Sequence, residues 1–80
     1  MKKEEIVRAN EKEIKLHDGS VVKMRRPKAR DLIAASEASN NTAKQEAILI
    51  ANLCMMTFDD VEDLDADDFM KLSKERNDFL

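Results

Sequence analysis

The dipeptide Asp18-Gly19, with alternating apolar residues on both sides, is the feature that most constrains this fold. The apolar positions around it are Ile14, Leu16, Val21, Val22 and Met24. A type I′ turn needs positive φ at both of its central residues, and Asp-Gly meets that need well. The pattern predicts a β-hairpin with strands at residues 12–17 and 20–25.

Pro27 ends the hairpin, because proline lacks an amide donor for a strand ladder and holds the preceding residue extended. The segment at residues 29–38 is rich in alanine and free of glycine and proline, which predicts the first helix. Asp31 lies in its opening turn, where a carboxylate interacts with unpaired amides and with the positive end of the helix dipole. The chain is therefore predicted to change from strand to helix around Pro27.

Three cap patterns organise the rest of the chain. Thr42 followed by Gln45 is a capping-box pattern that opens the stretch 43–56, which has apolar residues on nearly every face. We predict that this stretch is the buried central helix. The pattern recurs at Thr57–Asp60 and Asp65–Asp68, which predicts a short helical turn and then a last helix.

A chain of 80 residues, 39% of them charged, has room for one small domain. The order of elements predicts the α+β class, with an N-terminal two-stranded β-hairpin packed on about three α-helices. Residues 1–11 are mostly charged, which predicts a flexible N-terminal arm ahead of a domain at residues 12–80. Because so small a domain buries little surface, a homo-oligomer or a partner is expected to add stability.

Little in the sequence points to catalysis or to a metal. Cys54 alone cannot form an internal disulfide, and Cys54 with His17 cannot complete a four-ligand zinc site. Neither residue has a base, nucleophile or orienting partner nearby in sequence, and there is no glycine-rich phosphate loop. We predict a non-enzymatic protein that needs no cofactor. No apolar run reaches the roughly 20 residues of a membrane-spanning helix.

The acidic stretch at residues 59–68 invites comparison with a calcium-binding loop, because Ca²⁺ prefers several oxygen ligands on one loop. The best alignment starts at Asp63, with Asp65 in phase. It fails where Asp68 replaces the glycine that turns the chain, and where Lys74 replaces the glutamate that closes the site. Helix capping and solvation are the better explanation of these carboxylates.

A basic stretch runs from the second strand into the start of the first helix and contains Lys23, Arg25, Arg26, Lys28 and Arg30. The alternative function is therefore a small nucleic-acid-binding regulator, with the Arg25–Arg30 patch on phosphate and the first two helices as a helix-turn-helix. No aromatic residues interleave with the patch. Charge is also divided along the chain, with net +5 in residues 1–30 and net −8 in residues 31–80. Such polarity can guide self-association or docking, and the net charge of −3 for the whole chain makes nucleic acid binding the less favoured interpretation.

Three strings follow the hairpin in a specific order: MRRPKARDL at 24–32, AILIANL at 47–53 and LDADDFMKLSKERNDFL at 64–80. Together, over residues 12–80, they resemble the tail assembly chaperones of tailed bacteriophages, in the Mu-like tail assembly protein family. The motif positions in this chain are Arg25, Pro27, Asp31, Leu32, Leu64, Asp65, Asp68 and Phe69. One departure is Lys28, which stands where family members commonly have a Thr or Ser as helix cap.

The resemblance implies a chaperone that binds the tape measure protein of the phage tail, keeps it soluble and helps to recruit the tail tube protein. It also implies that the protein acts in the host bacterial cytoplasm and is absent from the mature virion. The contact residues are expected among the apolar side chains of the helical half, with these candidates: Ile48, Leu49, Met55, Met56, Phe69 and Leu72.

Overall fold

The computed structural model describes residues 10–79. Its elements, in chain order, are β1 (Glu11–Lys15), β2 (Val21–Arg25), α1 (Ala29–Ala38), α2 (Thr42–Cys54), α3 (Phe58–Glu62) and α4 (Ala66–Asp78). The predicted α+β class is confirmed, with one antiparallel hairpin followed by helices. The predicted flexible arm falls, for residues 1–9, outside the described residues. No helix within residues 10–79 is long and apolar enough to cross a membrane.

The hairpin loop is one residue longer than predicted. The backbone N–H of Leu16 donates to the carbonyl of Ser20 at 2.8 Å, and that of Gly19 donates to the carbonyl of Leu16 at 3.0 Å. These bonds enclose the three residues 17–19. Gly19 has φ of +90°, whereas Asp18 is not among the described residues with positive φ. The predicted type I′ turn is therefore wrong, and a three-residue loop with one left-handed glycine replaces it.

The hydrophobic pattern explains the longer loop. Ile14 lies opposite Val22 in the observed register. A two-residue loop would shift the pairing by one and place Ile14 opposite Lys23, because side chains alternate between the faces of a strand. The observed register instead gathers Ile14, Leu16 and Met24 on one face, where all three are buried. Burial of that face thus outweighs the local turn preference of Asp-Gly.

Asp31 joins the hairpin to α1. Its carboxylate accepts two hydrogen bonds from the guanidinium of Arg25, at 2.7 and 2.8 Å, and one from the backbone N–H of Lys28, at 2.8 Å. Because a lysine side chain has no acceptor, this carboxylate supplies the helix cap that Lys28 cannot. Asp31 is only 4% exposed, and the hydrogen bonds from Arg25 lower its pKa to about 2.

Asn41 begins α2, since its Oδ1 accepts a hydrogen bond from the backbone N–H of Lys44 at 3.0 Å. The predicted cap at Thr42 is wrong by one position, because Thr42 is already the first helical residue. Gln45, the other half of the predicted box, instead donates through Nε2 to the carbonyl of Ser39 at 2.6 Å. An amide side chain at Asn41 caps as well as a hydroxyl, so the neighbouring Thr42 is not needed.

The cap patterns ahead of the last two helices have different outcomes. Thr57 and Asp60 form the predicted capping box, with N–H to oxygen distances of 3.0 and 3.1 Å. Asp65 is the N-cap residue of α4, but its side chain makes no capping hydrogen bond. The predicted pairing of Asp65 with Asp68 is therefore wrong. The carboxylate of Asp68 accepts hydrogen bonds from the backbone N–H and the imidazole of His17 in the hairpin loop.

The helix α2 lies at the centre of the core and packs against β2, α1, α3 and α4. Six of its residues are buried, which confirms the prediction of a buried central helix. The buried apolar residues of the domain are Ile14, Leu16, Met24, Ala35, Ala47, Leu49, Ile50, Ala51, Leu53, Cys54, Val61, Leu72 and Phe79.

Polar contacts connect α4 to the rest of the domain. The Nζ of Lys12 donates to the carbonyl of Glu75 at 2.7 Å and to its carboxylate at 3.1 Å, and lies 4.4 Å from the ring centroid of Phe79. The guanidinium of Arg76 donates two hydrogen bonds of 2.8 Å to the carboxylate of Glu46 on α2. These contacts hold the hairpin and α2 against the same helix.

Candidate functional site

An apolar groove of about 340 Å³ lies between α2, α3 and α4. Its lining residues are Ala43, Lys44, Ala47, Phe58, Val61, Glu62, Leu64, Ala66 and Phe69. All but two of these side chains are apolar, and Phe58, Leu64 and Phe69 are only half-buried. A concave, mostly apolar surface with incompletely buried aromatic rings is the kind of site that accepts side chains from a partner.

Small residues on two helices create the space of the groove. Ala43 and Ala47 lie one turn apart on α2, and Ala66 precedes Phe69 by one turn on α4. Their methyl side chains occupy little volume, and the ring of Phe69 lines the same groove. The groove is therefore built from α2, α3, α4 and Leu64, which lies in the connection between α3 and α4.

Acidic residues border the groove on the side of α3, and we call this side its rim. Glu62 lines it, and Asp63 and Asp65 flank the lining residue Leu64 in sequence. Lys44 is the one cation among the lining residues of this groove. The acidic stretch noted in the sequence thus borders the groove on its α3 side, and Lys44 contributes a positive charge from α2.

Met55 is the most conspicuous apolar side chain on the surface, because it is 93% exposed. It ends α2 in the left-handed conformation, with φ of 57° and ψ of 43°, and its N–H bonds the carbonyl of Ala51. A left-handed conformation costs a residue with a side chain about 1 kcal/mol, and glycine usually fills such a position. The fold alone would be served better by glycine, so Met55 remains a candidate contact residue.

A second exposed apolar surface, on α1, was missed by the sequence reasoning. Leu32 is 51% exposed and Ile33 is 55% exposed, while the smaller Ala35 is buried against α2. Asp31 and Ala35, four residues apart, form the inward face of the helix. The available signal in the sequence was Asp31 in the first turn of the helix. A capping aspartate there faces the hairpin, so Ile33, two residues later, faces away from it.

The predicted contact residues separate into three groups. Phe69 lines the groove and Met55 is exposed. Ile48 and Met56 are partly buried and pack against the core. The remaining two candidates, Leu49 at 4% and Leu72 at 0% exposure, are core residues. Their spacing on amphipathic helices gave no means of distinguishing the core face from a docking face.

The family-motif positions fall in three places. Arg25 and Asp31 form the ion pair at the start of α1, next to Pro27 and the half-exposed Leu32. Leu64 and Phe69 line the groove.

The remaining two motif positions, Asp65 and Asp68, lie at the N-terminal end of α4 and contact the imidazole of His17. The hydrogen bond between the imidazole and Asp68 raises the pKa of His17 and lowers that of Asp68. The histidine thus has an orienting partner that its sequence neighbourhood did not reveal. The pair joins the hairpin loop to α4, and neither His17 nor Asp68 is among the groove-lining residues.

The structure also shows the surroundings of the basic stretch, of Cys54 and of the residues that could ligate a metal. Arg25 of the basic stretch is paired with Asp31, and the guanidinium of Arg26 lies 5.9 Å from the ring centroid of Phe79. Burial raises the pKa of the Cys54 thiol to about 11, so this cysteine is a poor nucleophile. Among residues 10–79, no three His, Cys, Asp or Glu side chains come together in a way that could hold a metal ion.

The chain matches the family model described as phage tail assembly chaperone proteins, E, or 41 or 14, over residues 5–80. The matched residues include the hairpin, all the described helices and the groove between α2, α3 and α4. No curated protein and no solved structure matches the chain. The resemblance identified from the sequence is confirmed, and the chain belongs to the family of phage tail assembly chaperones.

Proposed function

We propose that this protein binds the tape measure protein of a phage tail and keeps it soluble until the tail is assembled. It acts by binding alone, without catalysis, in the host bacterial cytoplasm, and it is absent from the mature virion. Its membership of the tail assembly chaperone family supports the general role. The tail tube protein is the second partner to test.

The groove between α2, α3 and α4 is the observation that carries this proposal. A chaperone for a long helical client needs a surface that covers apolar side chains, and the half-buried Phe58, Leu64 and Phe69 provide one. Met55 adds an exposed and flexible apolar side chain, of the type found on adaptable docking surfaces. The surrounding carboxylates keep the complex soluble.

The nucleic-acid alternative has less support. Arg25 is occupied by a bidentate pair with Asp31, and the carboxylate of Asp31 offsets the positive end of α1. The patch that would contact phosphate is therefore partly neutralised within the domain. A DNA fragment whose mobility shifts in a salt-sensitive way would support this alternative instead.

Co-expression with fragments that tile the tape measure protein tests the proposal. We expect at least one fragment that is insoluble alone to remain in solution with this chain and to co-elute with it in size-exclusion chromatography. A folded chain that rescues and binds no fragment would contradict the proposed function. The tail tube protein, co-expressed in the same way, tests the second partner.

A further inference from the structure

We infer that the groove between α2, α3 and α4 takes an amphipathic helix whose apolar stripe is flanked by lysine or arginine. The inference deepens the proposed function and rests on it, since it specifies the kind of client segment that the chaperone recognises. Both the shape and the charge of the groove support it.

The shape of the groove fits a helical ligand. Its walls on α2 and α4 each extend over one helical turn, from Ala43 to Ala47 and from Ala66 to Phe69. A partner helix presents side chains three and four residues apart, which is the spacing that a groove of this length receives. The volume of about 340 Å³ accommodates a small number of such side chains and leaves the rest of the partner helix outside.

The carboxylates on the α3 side of the groove favour a basic ligand, and Lys44 on α2 is the one cation in its lining. Glu62 lines the groove and Asp63 follows it, and neither forms a salt bridge with another residue in the described part of the chain. By contrast, Asp60 caps α3 and Asp68 is paired with His17. The two carboxylates at the rim thus remain available, and an acidic partner helix would meet repulsion there.

A second copy of this chain is the competing occupant. Its α1 presents Leu32 and Ile33, which are half exposed, near the cations Lys28 and Arg30. That helix carries Glu37 on its exposed surface as well, so its charge is mixed. A client helix with basic residues on both sides of its stripe complements the rim better than α1 does.

Neutralising the rim tests the inference. The test variant is Glu62→Gln/Asp63→Asn, at exposed positions beside the groove. The control variant is Glu37→Gln/Asp78→Asn, at exposed positions away from the groove. Both variants change the net charge by the same amount. Each purified full-length protein is titrated with a soluble peptide covering the tape measure segment that the wild type retains. The rim variant is expected to bind about three- to tenfold more weakly at low salt, because each exposed charge contributes a fraction of a kcal/mol.

The control variant is expected to bind like the wild type, and the difference between the variants should shrink at high salt. Equal affinities for the two variants, or wild-type binding that is indifferent to salt, would overturn the inference while the proposed function stands. A wild type that binds no segment would overturn both. A wild type that dimerises, with the rim variant monomeric in sedimentation, would assign the rim to self-association and also overturn the inference.

Discussion

Leu53 and Met55 lie two residues apart at the C-terminal end of α2 but in opposite surroundings. Leu53 is 1% exposed and Met55 is 93% exposed. The two residues represent two kinds of apolar side chain in one small domain: those of a core closed around α2, and those left accessible, such as Met55 and the residues of the groove. Hydropathy alone does not separate these two kinds, because both include Leu, Met, Phe and Ala.

The contrast teaches that apolar residues in this chain serve two purposes that substitutions can distinguish. A change in the core should lower stability, and binding is lost only because folding is lost. A change on the surface should alter binding at constant or even higher stability.

Leu53→Asp should unfold the domain, because it places a charge without a partner in the core. The matched control is Asn52→Asp, a change to the same residue at the exposed neighbouring position. Far-UV circular dichroism and thermal melting compare the two. A folded Leu53→Asp variant would remove the distinction between a closed core and an open surface.

Asp31→Ala should destabilise the domain by about 2 kcal/mol, because it leaves Arg25 and the N–H of Lys28 without their acceptor. Glu37→Ala, on the exposed side of α1, is the control. The pKa of Asp31 is about 2 in the folded state and ordinarily 3.8, so its contribution exists above pH 3.8 and is lost as the pH falls toward 2. Urea unfolding at pH 7 and pH 2.5 measures both effects, and equal losses in Asp31→Ala and Glu37→Ala would refute this account.

Met55→Gly should stabilise the domain by up to about 1 kcal/mol, since glycine adopts the left-handed conformation without steric cost. Client binding should weaken at the same time. The contrasting change, Asn52→Gly within α2, should instead destabilise by about 0.5 kcal/mol or more. Chemical denaturation and peptide titration on the same samples test the pair. Unchanged binding by Met55→Gly would exclude Met55 from the docking surface.

The His17–Asp68 contact should give the hairpin-to-α4 junction a modest pH dependence. The pKa of His17 is raised above 6.5, so its stabilising contribution is complete below that pH and is lost as the pH rises through the folded-state value. Asp65 and Asp18 also face this imidazole and raise its pKa.

The pKa of Asp68 is lowered from 3.8, so the contribution of that residue is lost in acid. The pair is therefore expected to stabilise most between pH 4 and 6.5. His17→Gln should flatten the stability profile across neutral pH in denaturation experiments. A profile identical to that of the wild type would show that the contact does not couple to folding.

Local signals in the sequence predicted the elements well, and tertiary burial decided their details. The bounds of α1 follow from Pro27 and the alanine-rich segment, and the hairpin follows from Asp-Gly. The exact register of the hairpin did not follow from Asp-Gly. Burial of Ile14, Leu16 and Met24 on one face required a longer loop than the Asp-Gly dipeptide prefers. A local turn preference is weaker than the burial of one face of a sheet.

Contacts between distant residues were beyond sequence reasoning. Arg76 and Glu46 are 30 positions apart, and His17 and Asp68 are 51 apart, with no local pattern to pair them. The groove is a similar case. In the sequence, its lining residues appear only as apolar positions in separate parts of the helical half. Which of these positions remain exposed depends on how the helices pack. Phe69 was predicted as a contact candidate, whereas Ala43 and Ala66, which make the space, were not.

The most direct measurement fills the groove without disturbing the core. Ala43→Gln/Ala66→Gln places two longer side chains at exposed lining positions, and Ala34→Gln/Ala38→Gln makes the same changes on exposed positions of α1. Both variants are co-expressed with the tape measure fragment that the wild type keeps soluble. The groove variant is expected to stay folded and to lose the fragment to the insoluble fraction, while the α1 variant retains it. Full retention by the groove variant, or equal loss by both, would contradict the claim that the groove binds the client.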